Sequence, residues 1–147
     1  MKIPISVLVL IHTRALDVLL IERVNPPGFW QSVTGSLDPG ETPVETAVRE
    51  VFEETGLDAR AYPLVDWKHG NVFEIYPMWR HRYPEGTLHN TEHVFGLTLP
   101  APVPVKLEPR EHVAQTWLPW ERAAEKVFSW SNRDAILMLP ERPLPDR

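Results

Sequence analysis

One stretch fixes more of this chain than any other: GSLDPGETPVETAVREVFEETGL, Gly35 to Leu57. Thr42 and Glu45 have the spacing of a capping box, Pro43 fits the first helical position, and Gly56 suits a left-handed stop. A helix is therefore predicted over Pro43 to Thr55. Val44, Ala47, Val48, Val51 and Thr55 recur at three- and four-residue steps and give it one buried stripe. The same helix carries Glu50, Glu53 and Glu54, with Glu50 and Glu54 about 40° apart on one edge of the stripe and Glu54 outside its main part. Carboxylates that close repel by a few tenths of a kcal/mol each, so a positive partner is expected. Hard oxygen ligands at this density suit Mg²⁺, with Mn²⁺ as a substitute. Arg49 is predicted to face away, within reach of Glu53 at i+4 and Glu45 at i−4, and to orient Glu53.

Elsewhere the periodicity gives mostly strands. Ile5 to Ile11 and Val18 to Ile21, joined by HTRALD, read as a hairpin, and FWQSVTG as a short strand before the DPG turn. Further strands are expected at Ala61 to Trp67, Val72 to Arg82, Glu92 to Leu99 and Gln115 to Leu118. Pro77 marks the second of these as an edge or bulged strand. PAPVPVKLEP should run extended on the surface, and short helices follow at Trp120 to Val127 and Ser131 to Leu139. The end, about residues 140–147, reads as a loose tail. Strands interspersed with helices indicate an α/β fold, a mixed sheet layered with helices. The 147 residues suit one domain, 1–147.

Composition removes several functions. No cysteine is present, which excludes a thiolate metal site or a cysteine nucleophile and favours a reducing, cytoplasmic setting. A net charge of −5 argues against nucleic acid as a partner. The apolar run near Lys2 is too short for a membrane span or a secretory leader, so no membrane partner is expected. The partner is a small molecule; oligomeric state is not legible.

The pattern G, five residues, E, seven residues, REVFEETGL matches the Nudix box at every specified position, and the chain resembles the Nudix hydrolase superfamily. The resemblance implies a mixed β-sheet sandwiched between α-helices and metal-dependent hydrolysis of a diphosphate linkage. It implies Glu50 and Glu54 as metal ligands, Glu53 as ligand or base-positioning residue, and Arg49 among the catalytic set. PISVLVLI, FWQSVTGS, FEIYPMWRHRY, NTEHVF, EHVAQTWL and SWSNRDAI are similar to the folate-pathway branch that acts on dihydroneopterin triphosphate. That likeness adds Glu111 as a distant metal ligand. It implies substrate contacts at Lys2, Arg23, Thr34, Phe73, Glu74, Ile75, Tyr76 and Ser129. Lys2 and Arg23 suit phosphate, and Phe73 or Tyr76 a flat heterocycle. Phe73 and Ile75 serve equally well as core, Ser129 as a helix cap, and His112 reads first as structural. The competing readings are a general (deoxy)nucleoside triphosphate diphosphatase acting on dATP and a non-catalytic nucleotide-binding module.

Overall fold

A computed structural model describes residues 1–145. Its strands are β1 Ile5–Thr13, β2 Asp17–Arg23, β3 Trp30–Gln31, β4 Val33–Ser36, β5 Leu64–Glu74, β6 His89–Leu99 and β7 His112–Pro119. The helices are α1 Pro43–Thr55, α2 Trp120–Lys126 and α3 Trp130–Met138, with 3-10 turns at Ala59–Ala61, Pro77–Arg82 and Leu139–Glu141. The strands form one mixed sheet in the order β3-β2-β1-β6-β5, with β4 added to β1 and β7 to β2. β1 runs parallel to β6 from Ile5↔Thr91 to Thr13↔Leu99, while β4 pairs with β1 and β7 with β2 antiparallel.

β1 is buried along its length after Ile5. That is why its sequence is a continuous apolar run rather than an alternation. Val7, Val9 and Ile11 pack with Ala47 and Val51 of α1 on one face. Leu8 and Leu10 pack with Ala135 and Ile136 of α3 on the other. The sheet is thus sandwiched between helices, as the sequence implied.

Helix α1 has the expected bounds, capping box and Gly56 stop, the latter at φ 75°. Its buried face is rotated from the expected one. Val44 is 47% exposed, whereas Glu50 and Glu54 are 9% and 3% exposed. The helix turns its acidic edge inward, and Gly35 on β4 makes that possible: a Cβ there would fall inside the Glu50 carboxylate.

The strands expected at Ala61 to Trp67 and Val72 to Arg82 are instead one edge strand, β5, followed by a separate 3-10 turn. The irregularity lies between Asp66 and Gly70, where the register shifts and Lys68 has φ 53°, not at Pro77, which opens the turn. Gly70 mimicked a strand end, whereas the true end before Pro77 was read through. The proline-rich segment is not confined to the surface. Val105 is 9% exposed and joins the core, and Gln115 brackets it through its own side chain, donating to Val105 O and accepting from Val105 N, both at 2.7 Å. The tail is also held: Arg142 lies over Trp67 at 4.8 Å, and Arg14 donates to Pro145 O at 2.7 Å. Residues 146 and 147 lie outside the described residues. No helix among the described residues is long and apolar enough to cross a membrane.

Candidate active site

A cavity of about 770 Å³ opens where β4, α1, β7 and the start of α3 meet. Of the residues singled out in the sequence, Lys2, Arg23, Thr34, Arg49, Glu50, Glu54, Phe73, Ile75, Tyr76, Glu111 and Ser129 line it. Glu53 and Glu74 do not. Glu53 touches Arg49 at 3.3 Å, half exposed, and Glu74 pairs with Arg80 at 2.6 Å on the surface. The three carboxylates of the helix therefore do not converge, because Glu53 falls on its outer side.

What converges is Glu54, Glu111 and His112, which bring one potential ligand atom each within 4.8 Å of one another. Glu54 comes from α1; His112 opens β7 and Glu111 immediately precedes it, where the pairing with β2 shifts register between Glu22 and Arg23. Mutual hydrogen bonding with Glu54, then burial, pushes the Glu111 carboxyl up to about 7. Burial, followed by the neighbouring Glu53 charge, raises Glu54, with Glu111 opposing. Two carboxyls contending for one proton are arranged for a cation. Glu54 Oε2 and His112 Nδ1 are buried 2.5 Å apart, yet neither makes a hydrogen bond of acceptable geometry. Orphaned buried polar atoms within an oxygen-rich donor set fit a divalent metal.

His112 lines the cavity with a buried ring. Arg23 donates to Gln31 Oε1 at 3.5 Å, which leaves the Gln31 amide nitrogen 3.2 Å from His112 Nε2. With that assignment Nε2 accepts and the neutral ring carries its proton on Nδ1, facing Glu54. Burial, and Arg23 second, bring the imidazole down to about 4, so it is neutral near pH 7. His112 Nδ1 then faces the Glu54 carboxylate without a hydrogen bond of acceptable geometry, and the neutral ring adds no charge to the site.

Arg49 does not face away. Its guanidinium reaches Glu41 at 2.8 Å, Glu50 at 2.7 Å, Glu53 at 3.3 Å and the Ser36 carbonyl at 3.0 Å. Glu41 takes the place expected of Glu45, which is occupied in the capping box with Thr42. Burial pushes the Glu50 carboxyl up to about 7, with Arg49 pulling it down. Glu50 is thus held at the cavity edge by a cation on one side and Gly35 on the other.

The opposite charge gathers across the cavity. Lys2, Arg23, Arg82 and Arg110 line it. Burial and then the Arg82 charge lower both Lys2 and Arg23. Cations that depress one another mark a place for an anion. Arg23 lies 4.7 Å over the Trp79 ring, and Trp79 stands 5.3 Å from Tyr76 and 6.0 Å from Phe128. Thr34 donates its hydroxyl to Val7 O, which leaves only acceptor capacity toward the cavity. Ile75 is 2% exposed and serves as cavity wall and core together. Ser129 is both the N-cap of α3 and a lining residue, so its two readings coexist.

Sequence reading missed Arg82, Asn90 and Glu92 as lining residues. For the last two a signal existed. Asn90 and Glu92 share the strand parity of Val94, an inward position where an apolar residue is the default.

Comparison with known proteins agrees with this geometry. A model of the NUDIX domain matches residues 2–139. The chain is 44% identical over 138 residues to "Dihydroneopterin triphosphate diphosphatase" of Escherichia coli (strain K12), covering 92% of this chain and 91% of that protein. It is 38% identical over 135 residues to the protein of the same name from Haemophilus influenzae, covering 89% and 84%. The structure of the E. coli dihydroneopterin triphosphate pyrophosphohydrolase superposes with a TM-score of 0.87 at 43% identity, over 92% of this chain and 93% of that one. Box, sandwich and similarity agree, and the chain belongs to the NUDIX domain family.

Proposed function

We propose that this protein hydrolyses 7,8-dihydroneopterin triphosphate to dihydroneopterin monophosphate and pyrophosphate, with Mg²⁺, or Mn²⁺ in its place, as cofactor. The observation that carries the reading is one cavity holding two self-repelling charge groups, Glu54 with Glu111 and Lys2 with Arg23 and Arg82, beside an aromatic wall. Each group is relieved by the opposite charge, and a metal-bound triphosphate on a flat ring supplies both charges and a stacking surface. The names of the relatives give the substrate its identity.

Glu54 and Glu111 would hold the metal, with Glu50 adjoining. Bound there, a divalent ion withdraws charge from the phosphates and lowers the pKa of a water ligand. The remaining work is done by the chain itself. Lys2, Arg23 and Arg82 fix the phosphates and offset their charge. Arg49 keeps Glu50 in place, and Tyr76, Trp79 and Phe128 hold the ring and exclude water from one side. Glu50, at the cavity edge beside Arg49, offers a carboxylate that can accept the proton the attacking water releases.

Pyrophosphate release from dihydroneopterin triphosphate, measured beside a panel of nucleoside triphosphates with Mg²⁺ and with chelator, tests the proposal. A pterin preference that chelator abolishes is expected. Metal-dependent release without that preference would leave the chemistry and discard the substrate; no release from any compound would discard both.

A further inference from the structure

The cavity has a floor that the metal and phosphate groups do not use. On β6, Asn90 and Glu92 take the parity of Val94, which packs in the core with Leu8 and Leu10. They are accordingly 1% and 4% exposed. In register, Glu92 stands between Ser6 of β1 and Asn71 of β5. A carboxylate at such depth ordinarily has a charged partner. Here no charged side chain acts on it; burial pushes the Glu92 carboxyl up to about 7, with Ser131 and Asn71 pulling down.

Asn71 Nδ2, a donor on the paired strand, is buried without a partner but does not line the cavity; the unpartnered atoms of the β6 residues that do are acceptors. Asn90 donates its amide to Ser6 Oγ at 2.7 Å, which fixes the side chain and leaves Oδ1 without a partner. Glu92 Oε1 is likewise unpartnered. Asn132 bonds Ser32 through both ends of its amide and makes no hydrogen bond to either atom. Two buried acceptors thus lie two residues apart on one strand face, beside Leu8, Phe73 and Ile75, in the same cavity as Glu54 and Lys2. An unmet buried acceptor is costly, so a site built this way favours a ligand that brings donors.

We propose that Glu92 and Asn90 form the selectivity subsite of the cavity, accepting the adjacent ring N–H and exocyclic amine of an aminopyrimidinone. The proposal deepens the pterin triphosphate reading and rests on it for the identity of the ring. The amide edge of a pterin offers N3–H and 2-NH₂ side by side, a complement to a carboxylate with a second acceptor near it. Adenine offers a ring acceptor beside its amine and leaves one acceptor unmet. Guanine shares the pterin edge.

The experiment is Glu92→Gln, which keeps shape and replaces one acceptor by a donor. kcat/KM would be measured for dihydroneopterin triphosphate, dGTP and dATP, together with inhibition by unphosphorylated dihydroneopterin, which does not depend on catalysis, and the melting temperature. The ratio of pterin to adenine efficiency is expected to fall about 10- to 100-fold, with weaker dihydroneopterin inhibition and an unchanged or higher melting temperature. Asn90→Ala, which keeps the carboxylate, is expected to move the same ratio less. Equal losses on all three substrates, or no change in their ratios, would overturn the subsite. If the wild-type protein turns over no pterin, the substrate reading fails by itself, and the ratio of dGTP to dATP in Glu92→Gln still decides the subsite.

Discussion

Replacing Gly35 by Ala adds one methyl group where the Glu50 carboxylate already lies. The backbone at Gly35 has no positive φ, so alanine is tolerated conformationally and the whole effect must pass through Glu50. The carboxylate has to move, and its 2.7 Å bond to Arg49 is the contact at stake. A charge-assisted hydrogen bond of this kind contributes about 1.5–3 kcal/mol. For a domain of this length that corresponds to a melting temperature lower by about 3–10 °C. A displacement of about 1 Å at a catalytic group costs on the order of 100-fold in rate. The assay is pyrophosphate release with Mg²⁺, run on Gly35→Ala, Glu50→Ala and the double variant. Because Glu50→Ala empties the space, Gly35→Ala is expected to be nearly silent in that background, which gives a strongly sub-additive cycle. Losses that multiply would refute the steric argument and assign Gly35 a role independent of Glu50.

Glu54→Gln should abolish most activity without lowering the melting temperature in chelator, since it removes a buried charge that contends with Glu111. Saturating Mg²⁺ at about 100 Kd should stabilise the wild type by about 2.7 kcal/mol and leave this variant unmoved in a thermal shift assay. Gln115→Ala removes both bonds that hold Val105 and should cost about 1–3 kcal/mol in urea unfolding. Glu41 is held down at about 2 from 4.5, chiefly by its hydrogen bond from Arg49. A lowered carboxyl pKa stabilises the fold above about pH 4.5, and that contribution is lost as pH falls through 2. The stability difference between wild type and Glu41→Gln in acid titration should therefore shrink over that window.

Helix α1 was legible to the residue because capping and stop signals are local and agree with one another. Its rotation was not, because the depth of Glu50 depends on what Gly35 leaves open across the sheet. Likewise β5 was split in reading at Gly70 and run on through Pro77, since strand continuity there is set by pairing with β6, a long-range fact. At the site, the motif residues Glu50 and Glu54 and the resemblance residue Glu111 line the cavity, as does His112, whereas Glu53 does not. Helical angle gives direction and says nothing of the partner surface, so spacing alone could not separate Glu53 from its neighbours. Asn90 and Glu92 went unread even though their parity was visible, because a polar residue in a strand defaults to the solvent face.

The parallel pair β1 and β6 carries Ser6, Asn90 and Glu92 at its start, at the centre of the sheet. Tyr76 and Trp79, by contrast, come from the approach to a 3-10 turn and the turn itself, and Phe128 from the link between α2 and α3. The rim and the floor therefore differ in how freely they can be rewritten. Substitutions at the rim alter a turn, whereas those at the floor edit the two strands on which both cores rest. Divergence among descendants of such a chain would accumulate around the aromatic rim first and leave the floor as inherited. For a designed inhibitor, the floor is the anchor that resistance would find hardest to change.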